Sequence, residues 1–298
     1  MSDPQMTVDE ILNVLASYPE DYPQEALNAA VTQRETIIPR LIDVLHQAVQ
    51  DPDAYADSGL PFYAVFLLGH FRAAEAHQTI LDLAALPCDK LEDLLGDALT
   101  EHLPMILYRT CGGQAEGLRS LALSPDACEY SVIAALHALS YAVVDGLLPR
   151  SEMMDFLKSL LDPDHAADLQ MMTPTFAAAA AGSLHPAELM EAIEAAFKAD
   201  LIDEDYTDLD AIREDNQQSQ EAAYQGLRRE MESYSLDDLH DTLSEWAMYG
   251  RQSIPPLPLE ALPQQPAYHE RPPKTYDSAK RKKKRKMAKA SRKKNRGN

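Results

Sequence analysis

The sequence predicts an all-α fold: an α-α solenoid of about four to five helical hairpins, followed by a disordered C-terminal extension. Three observations carry this. Among 298 residues there are only 11 Gly and 6 Phe, while Ala and Leu are abundant, a composition suited to helices and not to strands. Apolar residues recur at helical spacing, with no convincing alternating strand. Prolines also recur in step: Pro87, Pro125 and Pro163 are 38 residues apart, and Pro52 lies 35 before Pro87, an internal period of the kind that marks stacked helical units.

The elements follow in order. Thr7-Val8-Asp9-Glu10 is a capping box before Ile11, Leu12 and Leu15. Asp51-Pro52-Asp53, Leu86-Pro87-Cys88-Asp89, Ser124-Pro125-Asp126 and Asp162-Pro163-Asp164 each stop one helix and cap the next, and so divide the units. Asp200-Leu201-Ile202-Asp203 continues the period without its proline. The unit before Pro87 reads as Phe62 to Arg72, then Ala76 to Leu86. Its small residues Ala64, Gly69 and Ala76 allow close helix approach, with Gly69 near the end of the first helix. Gly112-Gly113 is a helix-to-helix turn. The third unit has Ser131 to Val144, a turn at Asp145-Gly146, then an apolar stripe of Met153, Phe156, Leu157 and Leu160. The fourth has Phe176 and the alanines to Ala181, then Leu189, Ile193 and Phe197, with Pro186 in a first turn. Pro39, Pro104 and Pro174 fall inside first-helix patterns and are expected to kink or interrupt them. Ser235-Leu236-Asp237-Asp238 is a weaker cap before a last helix ending near Trp246 to Tyr249.

The net charge of −21 hides two opposed parts. Residues 1–270 hold 13 Lys/Arg against 47 Asp/Glu, a net of −34. Residues 271–298 hold 14 Lys/Arg against one acid, a net of +13. The domain organisation expected is a helical-repeat body over 1–250, a Pro-rich linker over 251–279 and a disordered Lys/Arg-rich tail over 280–298. In the linker, Pro255, Pro256, Pro258, Pro263, Pro266, Pro272 and Pro273 make an extended spacer. The tail carries Lys280, Arg281, Lys282, Lys283, Lys284, Arg285, Lys286, Lys289, Arg292, Lys293, Lys294 and Arg296. It cannot bury apolar area.

The stretch Phe62 to Leu86, with its Ala, Leu-Gly, Ala, Ile/Leu pattern, resembles HEAT-like repeats of the phycobilisome-lyase type. Taken whole, residues ~8–250, with the closing Glu245-Trp246-Ala247, resemble a bacterial HEAT-like family known as domain-of-unknown-function family 1186. The resemblance implies a helical-repeat fold carried by packing motifs, and many members end in a SEC-C-type zinc-binding module. This chain has no Cys after Cys128, and the basic tail occupies that place.

Motifs for chemistry are scarce. Cys88, Cys111 and Cys128 are widely spaced and odd in number, so they are expected to be small buried residues with no disulfide framework, in keeping with a reducing cytosol. The nine His are scattered. His70 and His77 alone are spaced to share a helix face, and His-Glu occurs only at His269-Glu270. HExxH, GxSxG, GxGxxG and a Walker lysine motif are absent. No metal, cofactor or catalytic residue is therefore assigned. No apolar run reaches the ~18 residues of a membrane span, and the N-terminal residues have no signal-peptide pattern, so a cytoplasmic protein is expected.

The leading expectation for function is a non-catalytic interaction scaffold or adaptor, whose acidic solenoid grips a basic segment of a protein partner or its own tail. The natural dock is an acidic patch of Asp203, Glu204, Asp205, Asp208, Asp210, Glu214 and Asp215. The alternative is a factor that contacts RNA or the ribosome, the tail binding phosphates in a salt-dependent way with no aromatic platform for base readout. A third reading is an enzyme with an unrecognised site in the solenoid groove.

Overall fold

The computed structural model describes residues 6–17, 21–244 and 246. The Pro-rich linker, the basic tail and the expected helix end at Tyr249 lie outside the described residues. Every regular element among the described residues is helical. In chain order these are α1 (Val8–Ala16), α2 (Gln24–Thr32), α3 (Arg34–Gln50), α4 (Leu60–Phe71), α5 (His77–Ala84), α6 (Cys88–Leu95), α7 (Ala98–Glu101), α8 (Leu103–Thr110), α9 (Glu116–Leu123), α10 (Glu129–Val144), α11 (Arg150–Leu161), α12 (Thr173–Ser183), α13 (Met190–Lys198), α14 (Leu209–Asp215), α15 (Gln220–Ser233) and α16 (Leu239–Ser244). No helix is long and apolar enough to cross a membrane among the described residues.

The helices stack in two rows. α4, α8, α10 and α12 lie side by side in the first row; α3, α5, α9, α11 and α13 lie behind them in the second. This is an α-α solenoid with four regular turns, preceded by the α1–α3 group. Pro52, Pro87, Pro125 and Pro163 each fall just after a second-row helix, those ending at Gln50, Ala84, Leu123 and Leu161. They therefore occupy corresponding corners. Asp200, in the left-handed region with φ 58°, takes that corner after α13. The even spacing conceals uneven contents. Between Pro87 and Pro125 lie four short helices, α6 to α9, and between Pro125 and Pro163 only α10 and α11. The prolines also do not divide the units as expected. The helices on either side of a proline corner, α3 with α4, α9 with α10 and α11 with α12, are the ones that pack extensively.

Local capping explains several boundaries. The Thr7 hydroxyl accepts from the Glu10 backbone N–H at 3.3 Å, and the Glu10 carboxylate accepts from the Thr7 N–H at 2.7 Å, so the capping box forms. Gly112 and Gly113 have φ of 57° and 82°, and Gly146 has 72°, conformations that a side chain disfavours.

Other boundaries correct the sequence reading. Pro104 and Pro174 sit in the first turns of α8 and α12, where a missing N–H costs nothing. Pro174 starts a helix and does not interrupt it, whereas at Pro104 the helical run is broken at His102, between α7 and α8. Pro39 lies inside α3, which runs on to Gln50. Gly69, as expected, lies near the end of α4, which stops at Phe71 with Arg72 as its cap in the left-handed region. A Cβ at Gly69 would stand 2.8 Å from Leu236 Cδ1, so the glycine is there for a close approach. Ser235 does not cap the last helix. Asp238 does, accepting from the backbone N–H groups of His240 and Asp241 at 3.0 Å each.

The cysteine expectation is overturned. Cys88, the first residue of α6, and Cys128, the N-cap of α10, form a disulfide with a Cα–Cα distance of 4.9 Å. Cys111 is buried and free. The α6–α7 insertion carries the start of α6 back to the start of α10, a placement that sequence spacing does not reveal. The bond removes cysteine usage as an argument for a reducing compartment.

The disulfide closes a loop with a sequence separation of 40, for which the chain-entropy model gives about 4 kcal/mol. Reduction, or Cys88→Ser, is expected to lower the melting temperature by roughly 10 °C, read by circular dichroism. Thiol titration of the denatured protein should give one reactive thiol before reduction and three after. Three before reduction would show that the bond does not form.

Candidate functional site

The first-row helices have no polar side. Ten of the twelve residues of α4 and twelve of the sixteen of α10 are buried. A helix that is apolar all round must be covered on both faces. The second row covers one face. The C-terminal segment covers the other: α14 and α15 pack on α12, α15 on α10, and α16 on α4. Leu227, Leu236, Leu239 and Leu243 are its buried contacts. The open groove expected of a solenoid is thus occupied by the chain itself.

Four polar anchors hold this strap. Arg109 on α8 donates through Nε to the Gly69 carbonyl at 2.8 Å, through Nη2 to the His70 carbonyl at 3.2 Å and through Nη1 to Asp237 at 2.7 Å. The Arg109 side chain is 4% exposed and its partner Asp237 71%. The guanidinium holds the Asp237 carboxyl below its usual range. His70 Nδ1 donates to the Leu236 carbonyl at 2.8 Å. Further along, Glu230 of α15 accepts from His137 Nδ1 at 3.0 Å and the Tyr141 hydroxyl at 2.7 Å. Burial pushes the Glu230 carboxyl up, but these two bonds outweigh it and hold it below the ordinary value. Burial first, then the Glu230 carboxylate, pushes the Tyr141 hydroxyl up. Near the end, His240 Nε2 donates to Asn28 at 2.9 Å while its Nδ1 accepts from Tyr22 at 2.7 Å.

Where the strap leaves α15 and turns into α16, a groove of about 840 Å³ opens against α7 and the start of α8. Its rim carries six exposed carboxylates: Asp97, Glu101, Glu232, Asp237, Asp238 and Asp241. Asp237 alone among them is ion-paired to a described residue. His102, Tyr234 and Trp246 supply rings. The His102 ring centroid lies 5.6 Å from each of the other two, and Trp246 packs edge-on against Phe62 of α4 at 5.0 Å. His102 is 7% exposed, and its Nδ1 has no hydrogen-bond partner among the described residues. Burial pushes the His102 pKa down to about 4, so the ring is neutral near pH 7.

The acidic patch singled out in the sequence is divided between structural and exposed roles. Asp203 is buried; its N–H donates to Thr175 and its carboxylate accepts from the Asp205 N–H. Asp208 caps α14, accepting from the Ala211 N–H at 2.8 Å. Arg213 pairs with Asp210 and with Glu194. Glu204, Asp205 and Glu214 face solvent, and Asp215 is half-buried. His70 and His77 fall on different helices. Among the described residues, no three His, Cys, Asp or Glu side chains are placed to hold a metal. The tail residues Lys280 to Arg296 lie outside the described residues. The sequence reading missed the groove. Its signals were the Asp97/Glu101 pair at i, i+4 and the acidic run from Glu232 to Asp241, five residues before the one tryptophan.

Two predictions follow from this geometry. Arg109→Met leaves the end of α4 without its donors and should cost roughly 2–3 kcal/mol, whereas Asp237→Asn, at an exposed partner, should cost under about 1 kcal/mol; urea unfolding of the two variants measures both. His102 has an ordinary pKa of 6.5 when unfolded and about 4 when folded. As pH falls from about 6.5 to about 4, the unfolded chain takes the proton first, so this contribution is complete above pH 6.5 and is lost toward pH 4. The loss is about 3 kcal/mol. His102→Phe should flatten the pH dependence of unfolding in that window by this amount.

Comparison with known proteins places the chain. It is 29% identical over 252 residues to an uncharacterized protein of Chlamydia trachomatis, covering 80% of this chain and 94% of that one. A second uncharacterized protein, of Chlamydia muridarum, is 29% identical over 219 residues, covering 70% of this chain and 84% of the relative. No solved structure matches significantly. The family model described as "Protein of unknown function (DUF1186)" matches residues 6–250, the whole helical body with its strap, and the chain belongs to that family.

Proposed function

We propose that the protein is a non-catalytic interaction scaffold or adaptor whose acidic helical body holds a basic segment of a protein partner. The observation that carries this reading is the excess of 47 acids over 13 bases in residues 1–270. With the first-row face filled by leucines of the strap, the carboxylates of the described residues, Asp203 aside, are half-buried or exposed. A surface so charged repels polyanions and attracts cationic segments, with an on-rate that falls as salt rises.

A second reading rests on a separate observation, the 12 Lys/Arg of residues 280–298 with no acid among them. Such a segment displaces counterions from phosphates, so under this reading RNA binding depends on the tail and falls steeply with salt.

One experiment addresses both. The full chain and a chain ending at Ala279 are immobilised, and a lysine-rich peptide and a structured RNA are passed over each between about 50 and about 300 mM salt. The first reading expects both chains to retain the peptide at low salt and release it at high salt; failure of both to retain it overturns that reading. The second expects RNA on the full chain alone, and an RNA signal indifferent to the truncation removes the tail from the account.

A further inference from the structure

We infer that the Cys88–Cys128 bond is a redox-active site: a dithiol reductant exchanges with it in the folded protein, and its state holds or frees the α6–α7 insertion. The inference goes beyond the adaptor reading and does not depend on it. A disulfide that only braces a fold is shut away from attacking thiols and joins elements that would otherwise part. Here neither holds. Cys88 opens α6 beside the exposed Pro87 and is itself half-buried, whereas Cys128 is 2% exposed. An incoming thiolate therefore reaches the bond from the Cys88 side. The two helices also have their own places in the core. α6 buries Leu91, Leu94 and Leu95, and α10 buries twelve of its sixteen residues, so the body stands when the bond opens.

The position of Cys128 favours its departure. It is the N-cap of α10, and no side chain accepts from the first-turn N–H groups of that helix. The N-cap is where a Ser, Thr or Asp oxygen would accept from them. A Cys128 thiolate meets those N–H groups and the positive end of the helix, and a stabilised thiolate leaves faster. Asp126 and Glu129 flank it and act the other way; Asp126 is exposed and Glu129 half-buried, so water and salt screen them. The exchange balances as follows in atoms and electrons. One thiolate of the dithiol bonds to Cys88 Sγ, and the S–S electron pair leaves on Cys128 Sγ. The second thiolate of the dithiol attacks its own partner sulfur in the mixed disulfide, and the Cys88 thiolate leaves. Two electrons pass to the protein, the dithiol becomes a disulfide, and its two protons end on Cys88 and Cys128. The start of α6 is then untied from the start of α10. Gly96, with φ 53°, joins α6 to α7, so residues 88–101 are the segment released.

Cys111, buried and free, gauges unfolding in the same molecule. The oxidised full chain is treated with dithiothreitol without denaturant. Reduction of the bond and maleimide labelling of Cys111 are each followed by mass, relative to their rates in the denatured chain. The expected result is reduction in proportion to reductant, protected at least about tenfold less than Cys111. Equal protection means that the bond opens only when the body unfolds, and overturns the proposal; so does finding no bond at the start. Glutathione should be trapped on Cys88, and a mixed disulfide on Cys128 overturns the order of attack. On reduction, amide exchange over residues 88–101 should quicken about tenfold while that of α10 changes less than about twofold; no change over 88–101 overturns the release. The double variant Cys88→Ser/Cys128→Ser should keep the circular dichroism of the parent and show the same quickened exchange. Loss of its fold overturns a body that stands without the bond. Oxidised glutathione should restore the Cys88–Cys128 bond, and failure to do so overturns reversibility.

Discussion

Everything in the body follows from helices that have no face fit for water. Leu60–Phe71 and Glu129–Val144 are apolar on every side, so the second row of helices satisfies only half of their surface. The remaining half requires another layer, and the chain provides it by returning along the first row. Each strap leucine removed from water is worth about 2 kcal/mol, which makes the return favourable. Gly69 and Arg109 then decide where it sits. The absent Cβ at Gly69 admits Leu236, and Arg109 ties the carbonyls ending α4 to Asp237 in the strap. A buried guanidinium is tolerable here because several of its N–H groups find acceptors.

Closure of that face changes where function can reside. A solenoid ordinarily presents a long curved surface to a partner. Here that surface is filled by the strap, and open concave surface is left at the edges where the strap enters and leaves. The acidic groove at the α15–α16 turn is such an edge. It exists because the chain must reverse direction there, exposing the polar residues of a turn beside the buried rings of Phe62, Phe66 and His102. The patch near Asp203 shows the opposite outcome: an acidic run in sequence becomes partly a capping and hydrogen-bonding device once folded.

The Cys88–Cys128 bond has a comparable origin. Between two corners of equal spacing the chain fits α6 and α7 where other turns have none. That insertion carries Cys88 to the start of α10 and places α7, with Asp97 and Glu101, on the groove. One irregularity in the solenoid thereby supplies both a covalent tie and two of the six carboxylates of the acidic rim.

Local order was legible in the residues themselves. The helical class, the capping box at Thr7, the turns at Gly112-Gly113 and Asp145-Gly146, and the corners at Pro52, Pro87, Pro125 and Pro163 all depend on chemistry within a few positions, which the sequence states openly. What covers the first-row helices was not legible. The pairs Cys88–Cys128, Arg109–Asp237 and His70–Leu236 are separated by 40, 128 and 166 residues, and nothing local distinguishes them from other combinations. They are selected by docking of whole helices, where burial of apolar area outweighs any single polar contact. The sequence therefore determined which segments are helices and where they turn; the tertiary structure decided which carboxylates support the fold and which line a groove.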